Sequence, residues 1–344
     1  MEFGVFYQLP CSEDQTPVRR IQDTIVQCQL ADELGFDAAW LAELHFNPNF
    51  SLLSAPFMIG AAIAQITKRI RIGSAISLLP LHQPVRLAEE VATLDVLSNG
   101  RAIFGVGRGS MPSHYQGYSI NQEEGRERFI EGLELVLGSW RQEDFKYQGK
   151  FYQSHGYRIT PRPIQQPHPP VYVASNSADT FGIVGALGHS ILVAPTIVTT
   201  EGALEGLELY RAELEANGHD ASVLKVNVNV PMHVATTEEE AVKAFEKTID
   251  NYLETLRVIG QSRGASQGSS RASRLTSKIV MDEFAAVGTP DQVSAKLEKL
   301  KKMYNPDEFM CWFNIGGLLP HPAVQSSMQM FAQEVMPRFQ SSTR

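Results

Sequence analysis

Short apolar runs alternate with amphipathic stretches along almost the whole chain. In the first unit, a run at residues 3–8 has the length and composition of a strand. Thr16 and Pro17 are typical of a helix start, and apolar residues then recur at helical spacing up to Gly35, which favours termination. The pattern therefore predicts a strand followed by a helix, and similar units follow it.

Eight strand-helix units are predicted in this way. The strands are expected at residues 3–8, 38–41, 70–79, 102–106, 171–174, 191–194, 225–234 and 309–313. The helices are expected at 17–34, 55–67, 85–97, 126–140, 180–187, 201–217, from 237 onwards, 289–303 and 323–336, with capping boxes at Thr237 and Thr289. Because parallel neighbours need crossover helices, the chain predicts an α/β protein, and eight units favour a (β/α)₈ TIM barrel over an open doubly wound sheet. We expect residues 1–344 to form one such domain.

One segment departs from this alternation. Residues 261–273 read QSRGASQGSSRAS and cannot bury an apolar face, so we expect a mobile insertion at about 259–278, before the last βα unit. Long insertions of this kind are either lids over an active site or inert surface loops. Composition alone leaves both interpretations open.

Charge and cysteine content exclude several classes of protein. The net charge is −8, with 30 basic and 38 acidic residues, which disfavours a nucleic-acid binder. The three cysteines are far apart and suggest a reducing, cytoplasmic environment. We find no apolar run long enough to span a membrane and no His/Cys spacing typical of a metal site, and expect neither.

The turns after the predicted strands hold the candidate chemistry, because barrel active sites lie at the carboxyl ends of the strands. Ser177 and Thr180 follow the fifth strand at the start of a helix, where hydroxyls and free N–H groups can bind a phosphate. Arg108, after the fourth strand, could supply positive charge. The alternative for Ser177 is an ordinary helix cap. The surrounding GVGRG lacks the context of a dinucleotide fingerprint.

A second candidate pair follows the second strand. Glu43 and His45 could move protons, since an imidazole near a carboxylate can act as acid or base. The alternative is a structural histidine on a loop.

The chain resembles the bacterial luciferase-like flavin-dependent monooxygenases, and is most similar to the luciferase alpha-subunit type. The matching segments occur in the same order from residue 1 to residue 337. They are MEFG at 1–4, GFDAAWLAELHF at 35–46, IGSA at 72–75, LP at 79–80, HQPVR at 82–86, LDVLSNGR at 94–101, GVGRG at 105–109, PVYVASNS at 170–177, VGTP at 287–290 and EVMP at 334–337.

The resemblance implies a barrel that binds reduced FMN (FMNH₂) supplied by a separate flavin reductase. It implies that O₂ oxidises a small organic substrate through a flavin C4a-peroxide. Arg108, Asn176, Ser177 and Thr180 match the phosphate-binding region, and Ala75-Ile76 matches a non-prolyl cis peptide beside the flavin ring. The Ser/Gly-rich insertion matches a mobile lid, and a homodimer is expected.

Three departures from luciferase affect what the resemblance implies. Leu44 replaces the first of two adjacent histidines, so light emission is not expected. Asn176 replaces a glutamate, and Ala194 replaces a bulky tryptophan. Two alternatives stay open: an F420-dependent hydride-transfer enzyme on the same barrel, and a non-catalytic subunit like the luciferase beta chain.

Overall fold

Eight parallel strands close into a barrel in the computed structural model, which describes residues 1–12, 14–262 and 275–339. In chain order, barrel strands 1 to 8 are Glu2–Tyr7, Ala38–Leu41, Arg71–Ser74, Ala102–Gly107, Val171–Ala174, Ser190–Val193, Val226–Val234 and Glu308–Trp312. Strand 1 pairs in parallel with strand 8, and strand 8 with strand 7. This closure confirms the (β/α)₈ barrel and excludes the open sheet.

Helices surround the barrel. The main ones are Pro17–Leu34, Pro56–Ile66, Pro84–Leu97, Gly125–Arg141, Ala178–Leu187, Thr200–Ala216, Glu238–Ser262, Pro290–Tyr304 and His321–Met330. Their ends carry the predicted signals. Thr16 accepts a hydrogen bond from the Arg19 N–H, and Gly35 ends the same helix with φ of 89°. The capping box between Thr289 and Gln292 is confirmed, with both of its hydrogen bonds present.

The barrel interior is packed at its amino-terminal end by large side chains. Trp40 and Tyr172 meet edge to face with ring centroids 5.1 Å apart. A Cβ on Gly4 or Gly73 would lie 2.7–2.8 Å from Trp40 atoms, so these glycines make room for the indole. The Trp40 Nε1–H donates to Glu308 Oε1 at 2.7 Å.

Several predicted elements differ from the structure. The expected strand at 70–79 is wrong, since the chain forms Arg71–Ser74 and then a separate short strand, Ser77–Leu78, which pairs with Val106 and Gly107. The expected helix at 323–336 begins earlier, at His321, and after Met330 it continues as a π-helical turn, Phe331–Val335. The sequence pattern also missed an antiparallel hairpin, Lys146–Gln148 with Gln153–His155, and the helices Pro112–Gly117 and Ser277–Glu283.

The predicted lid lies largely outside the described residues. The helix Glu238–Ser262 covers its first positions, residues 263–274 fall outside, and the chain is described again from Leu275. Strand 8, the strand of the last βα unit, follows this segment. The role as a lid stays a prediction.

Two further findings concern the described part of the chain. No helix there is long and apolar enough to cross a membrane. Cys11, Cys28 and Cys311 are buried and free.

Candidate active site

The turn after barrel strand 5 presents two hydroxyls at the start of a helix. Ser177 occupies the N-cap position of Ala178–Leu187, but its side chain makes no capping hydrogen bond. Its Oγ instead lies 2.8 Å from Thr180 Oγ1. The first N–H groups of any helix lack an intrahelical acceptor, and the helix dipole favours an anion there. The Thr180 and Phe181 N–H groups donate to the Ser177 carbonyl oxygen at 2.9 and 3.2 Å, so the two hydroxyls are the groups at this turn that can rotate towards a ligand. A phosphate site here stays a prediction.

Arg108 extends from the end of barrel strand 4 into the same region. Its backbone is fixed by the Tyr115 hydroxyl, which donates to the Arg108 carbonyl oxygen at 2.7 Å. Among the ion pairs of the described residues, none involves the Arg108 guanidinium. The side chain lines the same cleft as Ser177 and Thr180 and brings a positive charge to it.

The sequence missed a second cation in this cleft. Arg126, near the start of the helix Gly125–Arg141, lines the cleft together with Arg108. Its Nη1 lies 3.6 Å from the carboxylate of Asp179, which belongs to the helix Ala178–Leu187. The hydrophobic pattern predicts that a helix begins at Arg126. It does not indicate that this helix start lies beside the turn after strand 5.

These residues belong to an outer cleft of about 490 Å³ at the barrel mouth. Both arginines, both hydroxyls and Asp179 lie at this site, alongside apolar side chains such as Phe129 and Ile183. Such a surface suits a ligand that ends in a phosphate and continues into a less polar part.

An inner cavity of about 160 Å³ adjoins the cleft. Ile76, Ala174, Asn176 and Ile197 line both spaces. The remaining residues of the inner cavity are all uncharged: Phe6, Gln8, Ala75, Leu192, Val193, Ala194, Thr196, Asn229, Tyr252, Met310 and Trp312. We call these two adjoining spaces together the recess; its outer end is charged and its inner end is neutral.

Ala75 and Ile76 separate the two short strands that replace the predicted third one. The peptide bond between them is cis, as the resemblance implied. Ile76 packs over barrel strand 4, where a Cβ added to Gly107 would lie 2.2 Å from Ile76 Cδ1. The absence of a side chain at Gly107 thus allows Ile76 to occupy the wall of the recess.

Glu43 and His45 are placed together, but in a different network. Glu43 Oε1 accepts hydrogen bonds from His45 Nε2 at 2.9 Å and His82 Nε2 at 2.7 Å, and Oε2 accepts one from the Leu78 N–H at 3.1 Å. Burial alone would raise the pKa of Glu43, but the two imidazoles outweigh it and lower the pKa to about 2. The same carboxylate raises the pKa of His82 against the opposing effect of burial.

This network does not line the recess. Glu43 and His82 border another cavity of about 480 Å³, between the helices Pro56–Ile66 and Pro84–Leu97. His45 is buried, with Nδ1 lying 3.1 Å from the Tyr118 hydroxyl. Leu44, between the two polar residues, packs with the apolar cluster that holds Trp312 and Tyr252. A proton-transfer role for His45 and Glu43 stays a prediction, and the contacts favour a positioning role.

Within residues 1–12, 14–262 and 275–339, no group of three or more His, Cys, Asp or Glu side chains is arranged to hold a metal ion.

Comparison with known proteins identifies the family. The luciferase-like monooxygenase family model matches residues 1–304. The chain is 26% identical to the oxygenase component of flavin-dependent trigonelline monooxygenase from Acinetobacter baylyi, over 99% of this chain and 96% of the relative. It is 25% identical to an alkanal monooxygenase alpha chain from Photorhabdus luminescens, over 100% and 99% of the two chains.

A solved structure agrees with the sequence comparisons. The monooxygenase RslO1 from Streptomyces bottropensis is 26% identical, superposes with a TM-score of 0.84, and is matched over 99% of this chain and 100% of its own. The resemblance carried by the sequence motifs is thereby confirmed. The chain belongs to the luciferase-like monooxygenase family.

Proposed function

We propose that this protein is the oxygenase component of a two-component monooxygenase that uses reduced FMN and O₂ to oxygenate a small organic substrate. The observation that carries the proposal is the sorting of charge along the recess. Two arginines, two hydroxyls and one carboxylate, Asp179, stand at the outer end, and only uncharged side chains line the inner cavity. FMN has the same polarity, with a phosphate at one end and a planar ring system at the other.

The residues present fit this cofactor. Ser177 and Thr180, whose hydroxyls bond each other rather than capping the helix, can both turn towards a phosphate. Arg108 and Arg126 would hold its oxygens by charge-assisted hydrogen bonds. Ala75, Ile76 and Asn176 would contact the ring end, since all three line the inner cavity.

Reduced FMN, when bound, would supply two electrons to O₂, so that one oxygen atom enters the substrate and the other leaves as water. The protein's part is to position the reactants and to exclude water. The neutral inner cavity does both, because apolar walls such as Phe6 and Met310 offer no competing hydrogen bonds.

Glu43 and His45 would act by positioning rather than by touching the reactants. Glu43 holds the Leu78 N–H at 3.1 Å, and Leu78 comes two residues after Ile76, which lines the recess. His45 in turn supports Glu43. We expect Glu43→Ala to weaken FMN binding about fivefold and Glu43→Gln to preserve most of it, since the amide oxygen can still accept from Leu78.

The proposal is tested by mixing the protein anaerobically with FMNH₂, adding ¹⁸O₂ and a panel of aldehydes, ketones and sulfides, and measuring labelled product and H₂O₂. One ¹⁸O atom per product molecule is the expected result. F420 in its reduced form is run in parallel. Turnover with reduced F420 and no O₂ consumption would replace the proposal with hydride transfer, and failure to bind either cofactor would indicate a non-catalytic subunit.

Partners and location belong to the same proposal. The name of the trigonelline relative, an oxygenase component, supports a separate flavin reductase as electron donor.

We also propose a homodimer, formed through the exposed apolar side chains beside the cavity between Pro56–Ile66 and Pro84–Leu97. Three free cysteines fit a cytoplasmic location.

A further inference from the structure

An acidic side chain lies within the cationic end of the recess. Asp179 Oδ2 is 3.6 Å from Arg126 Nη1, and both side chains are on the wall of the outer cleft with Arg108. The exposed fractions are 77% for Asp179 and 52% for Arg126, so neither group is held in place by burial. A carboxylate at this point would face any phosphate bound by the two arginines.

The effect of the Asp179 carboxylate on ligand binding follows from the charges in the outer cleft. Arg108 and Arg126 contribute two positive charges to the cleft, and Asp179 removes one of them. A phosphate must therefore displace Asp179 from Arg126 or bind beside a like charge, and both cost free energy. An exposed ion pair contributes little to stability, so the pair is easily opened.

A helix-stabilising role is the plain alternative, because Asp179 lies in the first turn of Ala178–Leu187, where an acidic residue interacts favourably with the helix dipole. That role predicts an effect on stability and none on ligand selectivity. The chain offers a matched comparison: Asp291 lies in the first turn of Pro290–Tyr304, pairs with Arg338 at 2.7 Å, and lines neither space of the recess.

We propose that Asp179 is an affinity-limiting residue, an internal counter-anion that competes with the cofactor phosphate for Arg126 and so keeps flavin binding weak enough for exchange with a reductase. This inference rests on the proposed function, since it requires a phosphate-bearing cofactor at the outer cleft. It adds a residue whose effect on binding is opposite in sign to that of Arg108, Ser177 and Thr180.

The test measures dissociation constants for FMN and for riboflavin, which lacks the phosphate, in anaerobic titrations of both redox states. Asp179→Asn should lower the FMN dissociation constant three- to tenfold and leave that of riboflavin within twofold. Asp291→Asn should change neither. In an Arg126→Gln background, the effect of Asp179→Asn on FMN should fall below twofold, since the arginine for which Asp179 and the phosphate compete is gone.

Each other result is decisive. An FMN constant that is unchanged or raised in Asp179→Asn, an equal change for riboflavin, or an undiminished effect in the Arg126→Gln background would overturn the counter-anion role. Equal binding of FMN and riboflavin by the wild type would instead show that the outer cleft does not bind a phosphate. That outcome concerns the proposed function and is visible before any Asp179 variant is made.

Discussion

At the residue scale, the proposed phosphate site combines side chains from three separate segments. Arg108 follows strand 4, Ser177 and Thr180 follow strand 5, and Arg126 lies at the start of a helix. The barrel fold points only to residues at the carboxyl ends of the strands, because the active sites of barrels lie there. Arg108, Ser177 and Thr180 could accordingly be found from the sequence. Arg126 could not, since its position depends on how the connecting helix returns to the barrel.

Arg108→Gln should raise the FMN dissociation constant by ten- to a hundredfold, as expected when a charge-assisted hydrogen bond of about 1.5–3 kcal/mol is lost. Riboflavin binding should stay within threefold, because it offers no phosphate. Arg338→Gln, which removes an arginine paired with Asp291 on the surface, is the control. Equal losses for FMN and riboflavin would show that Arg108 does not contact the phosphate.

The packing of Ile76 against Gly107 of strand 4 gives a second prediction at the residue scale. Gly107→Ala would place a Cβ 2.2 Å from Ile76 Cδ1 and so push that side chain into the recess. We expect FMN binding to weaken about fivefold, measured by titration. Adding Ile76→Val, which removes the clashing Cδ1, should restore it. A double variant as weak as Gly107→Ala alone would contradict this steric account.

At the scale of elements, the sequence predicts the order of units well and fails where tertiary contacts decide. The apolar run at 70–79 has the composition of one strand, yet it is divided at Ala75-Ile76. Glu43 holds the second part through the Leu78 N–H, a contact from 35 residues away. The local pattern of apolar and polar residues does not indicate a contact between residues so far apart in the sequence. The same limit applies to His45, whose ring lies 3.1 Å from the Tyr118 hydroxyl, a partner 73 residues further along the chain.

A buried carboxylate at the amino-terminal end of the barrel should make the stability of the protein depend on pH. Glu308 is fully buried, and burial raises its pKa to about 7, although Arg71 and the Trp40 N–H partly oppose the shift. A pKa above the ordinary 4.5 means that the folded state binds the proton more tightly than the unfolded state. The associated stability is complete below about pH 4.5 and is lost as the pH rises towards 7, by up to about 3 kcal/mol.

Glu308→Gln should remove this dependence, because an amide does not ionise and can still accept from Trp40 Nε1. We expect the variant to be more stable than the wild type at pH 8 and close to it at pH 4.5, as measured by urea unfolding. Glu298→Gln, an exposed position 4.0 Å from Lys301, should leave the pH profile unchanged. A loss of stability at pH 8 in Glu308→Gln would show that the buried carboxylate is needed in its charged form.

At the scale of the whole molecule, the cavity between Pro56–Ile66 and Pro84–Leu97 opens on the outside of the barrel. Arg86, Glu90, Thr93 and Leu97 line it at helical spacing from one helix. Met58 stands on the other helix with 75% of its surface exposed, and Leu97 is 46% exposed. Large apolar side chains grouped around a groove are typical of a protein interface, whereas isolated ones are normal on any surface.

A second copy of the chain is the proposed occupant of this face, and a double substitution tests it. Met58→Glu with Leu97→Glu would bury like charges in such an interface, which should weaken self-association at least a hundredfold. Sedimentation equilibrium should then show a dimer for the wild type and a monomer for the variant at micromolar concentration. Val18→Glu with Val223→Glu, at exposed positions away from the groove, should stay dimeric. Since Glu43 and His82 border the same groove, the monomeric variant should also bind FMN less tightly if the dimer supports the network that holds Leu78.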